Sequence, residues 1–391
     1  MALPVTITGS VIWPFGAPSH EGSYLGPFKA DTGNFYGFFG HTSTHSIVNA
    51  VKATDPTDSW TVQAEWDTGG TDNVCSISVV QEGNIFHVLA LREVATDDVL
   101  YRPYDASTDS WGTEEIVADN VGILHSQSWM GLRSDGDVIA LYPGVTVKIM
   151  GTDYGRVSYG RRESGSWTSD IAVDDGGEVQ YAAGCGAVDD ADRTYFFYYA
   201  ESGPHIYKKD LTSANSLGSA VQVSDTAVAI GISSEKAPPM GAKFYLDGST
   251  KRVTVVWISG SPPSYKSSEI EDNGTPSAEE TVSDASSGFG VACLALNGTD
   301  LYLLYARTAP NNDLYSDLNS NSGGWGTDIL QLSATVQRVS ANVYDRSGTK
   351  IGYFYNDGGT QKYNEIDIGG APPDTVLVDI IRCGGVIPFR R

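Results

Sequence analysis

Along the chain, short runs of aromatic and β-branched residues recur between polar turns at a steady interval. FYGFFG, IFHVLAL, VIALY, TYFFYYA, RVTVVWI, LYLLYA and KIGYFY follow the turns ADTGN, QEGN, SDGD, DDADR, LDGST, NGTD and DRSGT. Apolar runs bounded by Gly, Asp and Ser read as buried strands. Upstream of each turn stands a phrase built on a small or soft residue. These are Leu25-Gly26, Cys75-Ser76, Met130-Gly131, Cys185-Gly186, Met240-Gly241, Cys293-Leu294 and, more loosely, Ala341-Asn342, whose first members step by 50, 55, 55, 55, 53 and 48 residues. A third strand follows the apolar run, as in VLYRPYDA or DLYSDLN. In several units a polar turn then ends in Trp60, Trp111, Trp167 or Trp325, and a fourth strand such as TEEIVA or DILQLS closes the unit.

Four short antiparallel strands per unit, written seven times, predict an all-β fold: a single seven-bladed β-propeller. The expected boundaries are an N-terminal segment over 1–19, the ring over 20–370 and a tail over 371–391. The last unit lacks a full fourth strand after NEIDIGG. Val5-Thr6-Ile7-Thr8 is expected to supply it and so remove an open sheet edge. TVLVDII, over 375–381, is the rival for that place. Cys75, Cys185 and Cys293 fall at equivalent positions of the innermost strands, which predicts buried thiols rather than a disulfide framework. Cys383 stands apart in the tail.

The Trp-terminated turns resemble degenerate Asp-box hairpins of the sialidase-like propeller superfamily. Asp58-Ser59-Trp60 and Asp109-Ser110-Trp111 keep an acidic turn and the Trp. Ser164-Gly165-Ser166-Trp167 and Ser322-Gly323-Gly324-Trp325 lack the Asp. In that family the box lies away from the active site, so the resemblance implies architecture rather than chemistry. The family's catalysis needs three arginines, a Tyr nucleophile with its Glu, and an Asp acid/base. The phrase Tyr101-Arg102-Pro103 falls in a third strand, where the family does not place its first arginine. Fold does not carry function with it.

Composition narrows the classes of function. The 391 residues hold 48 acidic against 25 basic side chains, a net charge of −23. That balance excludes the basic footprint of a nucleic-acid partner and disfavours anionic membranes. No stretch approaches the roughly 18 apolar residues of a membrane-inserted span. The opening MALPVTITGSVIWPFG lacks the basic start and apolar run of a secretory signal.

Candidate chemistry is sparse. His20, Tyr24, His125, Trp129 and Tyr181 belong to loops entering the innermost strands, where aromatic side chains can stack on sugar rings or simply plug the central channel. Arg92 and Arg307 occupy matching places just after second strands, with Glu201 and Asp357 at comparable ones. Together they offer charge for an acidic sugar, or rim ion pairs. The phrase PGVTVKIMGTDYGR makes a long connection in the third unit, and Lys148, Ile149 and Met150 at its centre are the candidate partner contact. His41 and His45 lack a third metal ligand. Asp174-Asp175 and Asp189-Asp190-Ala191-Asp192 offer oxygen ligands of the kind calcium takes, or ordinary turn chemistry. No cofactor and no resident metal is expected, calcium aside, and no catalytic residue is assigned.

Three functions stay open. The first is a non-enzymatic propeller displayed on a surface, decorating a virion or attaching it to a host, with glycans, a cell-surface component or other assembly subunits as partners. It would be located on a virion or extracellular surface. The second is a sialidase-like glycoside hydrolase, and the third an intracellular interaction scaffold.

Overall fold

The computed structural model describes residues 5–6, 24–40, 47–69, 74–92, 98–119, 121, 128–144, 147–149, 152–154, 156–173, 184–200, 204–228, 240–260, 264–283, 292–307, 313–320, 323–333, 336–343, 350–357 and 360–368. They form strands and turns, with strand after strand paired antiparallel to the next. The first sheet shows the plan: Tyr24–Lys29, Phe35–Gly40, Ile47–Ala53 and Thr61–Asp67 pair in chain order. The second strand is buried along its whole length. The fourth alternates exposed and half-buried positions, as an outer strand with one wet face should.

By strand pairing, the described residues contain seven such sheets. Their first strands are Tyr24–Lys29, Val74–Glu82, Trp129–Leu132, Gly184–Val188, Met240–Asp247, Ala292–Asn297 and Val336–Val343. Each of these touches the next, and the seventh returns to the first. The second sheet departs from the plan by a fifth strand, Ser110–Trp111. In the third, Val147–Ile149 and Thr152–Tyr154 make a separate hairpin out of the long connection noted in the sequence. In the seventh sheet the outer place is taken by Val5–Thr6, which pairs with Tyr363 and Lys362. The rival segment, 375–381, lies outside the described residues.

Every pair of neighbouring sheets has a core of its own. Phe38, Trp66 and Phe86 fill the space between the first two sheets; Tyr101, Met130 and Tyr142 lie between the second and third; Trp129, Phe196 and Tyr198 between the third and fourth. Phe197, Phe244 and Trp257 continue the series, then Tyr245, Tyr265 and Tyr305, then Leu304, Leu314 and Tyr353. Trp60, Phe39, Phe354 and Tyr363 join the first sheet to the seventh. Large aromatics dominate because the flat faces of twisted sheets diverge outward from the axis and need long side chains to fill the wedge.

Near the axis the demand reverses. A Cβ on Gly131 would lie 2.5 Å from the Trp129 ring, and one on Gly186 would lie 3.0 Å from it. Glycines therefore let the first strands crowd, which is why the small-residue phrases repeat. Cys185 and Cys293 are buried in these strands.

Candidate functional site

Of the residues named from the sequence as ligand contacts, the structure brings few together. His20, His125 and Tyr181 lie outside the described residues, as do His41, His45, Asp174, Asp175 and Glu201. Tyr24 is described by its backbone alone, paired with Phe39. Trp129 is corrected outright: it is fully buried, edge-on to Phe196 at 6.2 Å. Its side chain points into the core between two sheets, where no ligand reaches it.

Arg92 and Arg307 do occupy matching registers, opposite Asp98 and Asp313 respectively. The guanidinium of Arg92 is consumed by the fold. It pairs with the Asp98 carboxylate and donates to the carbonyls of Thr68 and, at 2.8 Å, Gly69. The side chain of Arg307 falls outside the described residues, as do those of Asp357, Lys148 and Ile149 and all of Met150.

The acidic turn at 189–192 is engaged by protein groups. Asp189 Oδ1 accepts the N–H groups of Ala191 and Arg193, both at 2.9 Å. Lys251 of the fifth sheet lies 2.6 Å from Asp190, and its hydrogen bond to that carboxylate is the largest cause raising the Lys251 pKa. Asp192 accepts the N–H and hydroxyl of Ser134 at 2.7 and 2.6 Å. Among the described residues, no group of three His, Cys, Asp or Glu is placed to hold a metal ion.

The turns between third and fourth strands are inter-sheet wedges. Trp60 packs edge-on to Phe354 at 4.9 Å, Trp111 lies 5.4 Å from Trp66, and Trp167 lies 5.3 Å from Tyr101. Trp325 donates its indole N–H to Ser267 Oγ at 2.8 Å. Each of these tryptophans leans on the preceding sheet. Polar residues of the same turns do likewise. Asp109, at φ 51°, accepts from Tyr36 and Lys52. Asn215, at φ 64°, accepts from Arg133 at 2.6 Å and donates to Glu163 at 3.1 Å. Asx residues suit both jobs, since they tolerate the left-handed region and carry a short polar reach.

In the sixth sheet the turn is glycine-rich, and there a cavity of about 510 Å³ opens. Asp317, Leu318, Ser320, Gly323, Gly324, Gly326, Thr327, Asp328 and Ile329 line it. Asp317 is 1% exposed. Its Oδ1 accepts the N–H of Leu318 at 2.7 Å, whereas Oδ2 is buried with no hydrogen-bond partner. Burial raises the Asp317 carboxyl to about 6; the charge of Asp328 adds to this, and the Leu318 N–H opposes it. Ile329 is 57% exposed and gives the opening an apolar side. The volume falls within the usual range of small-molecule sites, where a few convergent polar groups meet apolar walls.

Sequence reasoning did not single out Asp317, Asp328 or Ile329. The signal available was the doubled glycine of GGW beside two aspartates, in a family of turns that otherwise fill this space with side chains.

No protein family matches the sequence, and no curated protein does either. Solved structures do match. The polysaccharide lyase Uly1 aligns with a TM-score of 0.54 at 11% identity, covering 92% of each chain. AofleA from Arthrobotrys oligospora aligns at 0.52 and 11% identity over 90% of each chain. The fungal lectin of Aleuria aurantia, described as a six-bladed β-propeller with a novel fucose recognition mode, aligns at 0.50 and 15% identity over 77% of this chain and 91% of its own. None of these three carries the sialidase reading. The lectin also corrects the seven-bladed expectation: the likeness gives no support to a seven-bladed class, and the count of seven sheets rests on strand pairing alone. What the chain shares with these structures is an all-β propeller of four-stranded antiparallel blades.

Proposed function

We propose that the protein is a non-enzymatic recognition propeller that binds carbohydrate on the face carrying the turns between third and fourth strands. The observation that supports this most directly is the cavity of the sixth sheet. It pairs a buried, unsatisfied carboxylate oxygen on Asp317 with an exposed apolar wall at Ile329. Sugar rings present the same pairing, hydroxyl donors beside an apolar C–H face. A lectin among the structures of similar fold agrees with this reading. The finer placement belongs to the same proposal: a surface-displayed protein that decorates a virion or attaches it to a host. Its support is composition, polar loops rich in Asp, Gly, Ser, Thr and Tyr on a chain of net charge −23.

A glycan array run with the intact protein at low and high salt tests the reading. Selective binding that survives high salt supports it, because contacts made by hydroxyl groups and apolar faces are weakly screened. A blank at both salts sinks it.

A second reading has one observation in its favour: the polysaccharide lyase Uly1 matches over 92% of each chain. Incubating array-positive polysaccharides with the protein and following chain length separates the two. Shortened products identify an enzyme; unchanged chains retain the binding reading.

A further inference from the structure

The hairpins of four sheets close by the same hydrogen bond, which puts their residues in one frame. The N–H groups of Gly112, Gly218, Ser277 and Gly326 donate to the carbonyls of Pro103, Asp210, Glu269 and Leu318 at 2.8, 2.8, 2.7 and 3.0 Å. The residue just before each accepting carbonyl is therefore equivalent in all four: Arg102, Lys209, Ser268 and Asp317. In the second sheet Arg102 Nε donates to the Gly112 carbonyl at 2.7 Å. In the fifth, Ser268 Oγ donates to the Ser277 carbonyl at 2.9 Å. At this position a side-chain donor satisfies a hairpin carbonyl.

In the sixth sheet the donor is replaced by an acceptor. An ionised Asp317 has no proton to give to the equivalent carbonyl, that of Gly326. It is buried all the same, with Oδ2 unpartnered and a cavity beside it. The neighbouring positions stay small: a Cβ on Gly326 would approach Asp317 Oδ1 to 3.4 Å, and nothing lies within 4 Å of one on Gly324. A buried acceptor left unmet costs free energy unless something donates to it. The lining offers a second carboxylate, Asp328, and among the lining residues no basic side chain.

Resting on the carbohydrate reading above, we infer that the sixth hairpin is a subsite for an uncharged, hydroxyl-bearing sugar ring. One hydroxyl donates to Asp317 Oδ2, and Ile329 covers an apolar face of the ring. Uronic and sialic acids are rejected, because their carboxylates would enter beside Asp317 and Asp328 with no cation to meet them.

The test is calorimetric titration of the intact protein with methyl glycosides of neutral hexoses and deoxyhexoses, with methyl glycosides of uronic acids, and with calcium chloride alone. Neutral glycosides should bind at least about tenfold more tightly than uronic ones. Asp317→Ser restores the donor found in the fifth hairpin, and should weaken neutral-sugar binding by about tenfold or more. Asp317→Asn, which keeps an acceptor and the side-chain shape, should retain most of it and controls for folding. Equal affinity for neutral and uronic glycosides overturns the inference, as does binding unaffected by Asp317→Ser, or a site that takes calcium and no sugar. If array-positive glycans bind while Asp317→Ser is silent, this subsite fails and the carbohydrate reading stands. If no sugar binds anywhere, both fall.

Discussion

Tyr36 in the first sheet donates its hydroxyl to Asp109 in the second sheet's turn at 2.8 Å, across an interface that sequence separates by 73 residues. The same carboxylate takes Lys52 at 2.6 Å and Tyr104 at 3.2 Å. Burial alone would raise the Asp109 carboxyl, but the bonds from Lys52 and Tyr36 carry it below its ordinary value. Burial, with Asp109 as acceptor, pushes the Tyr36 phenol well above its usual range. The turn thus fastens one sheet to the next through a charge that three donors share.

Asp109→Ala should lower stability by about 1–3 kcal/mol, since it strips three donors of their acceptor and puts a Cβ-only residue at a positive φ. A urea unfolding midpoint checks this. In combination with Tyr36→Phe the loss should be less than additive, because both changes remove one bond.

Asp317 gives a pH dependence of defined sign. Its folded pKa, about 6, stands above the model carboxyl value of 3.8. The folded state therefore holds its proton more tightly than the unfolded chain. The stabilising contribution is complete below the unfolded value and is lost as pH rises through about 6. Asp317→Asn should remove this loss. The variant should exceed the wild type in stability at pH 7–8 by on the order of 1–3 kcal/mol, and the difference should shrink toward pH 4. Denaturation curves at three pH values decide it; an unchanged difference across that range refutes the assignment.

Trp129→Ala should cost roughly 3–5 kcal/mol, by emptying a fully buried site between the third and fourth sheets. Near-axis crowding predicts the opposite error as well. Gly131→Ala drives a methyl group to 2.5 Å from the Trp129 ring and 2.6 Å from Val188, an overpacking worth about 1–3 kcal/mol. Thermal unfolding of both variants tests the pair. Any loss of sugar binding in Trp129→Ala should track its unfolded fraction.

Arg92→Met leaves the Asp98 side chain, 10% exposed, and the carbonyls of Thr68 and Gly69 without their shared donor. The expected loss is about 1–3 kcal/mol. It should persist at high salt, because the pair is mostly shielded from solvent. A loss that vanishes in salt would mark the contact as a surface pair.

Strands, turns and the innermost repeats were legible because each is a local pattern. FYGFFG and TYFFYYA are buried second strands, and Val5-Thr6 takes the outer place in the last sheet. The site was not legible, for two reasons. Trp129 and Arg92 look like ligand contacts when only their loop position is known. Which way a strand-end side chain turns is decided by the neighbouring sheet, about 55 residues away in sequence, and it turned both inward. Asp317, conversely, hides in DLYSDLNS, a run whose polar residues read as an ordinary third strand. Its meaning appears only when Arg102 and Ser268 are laid on the same frame.

The seven interface cores also bear on how the protein comes apart. A linear array of repeats has two end units, each held on one side only, and unfolding starts there. Here the first and seventh sheets share Trp60, Phe354 and Tyr363, so no unit is terminal. To release any one sheet, two cores must open at once. Melting should therefore be a single concerted event with a steep onset, and partial digestion should yield either the intact ring or small fragments, with little in between.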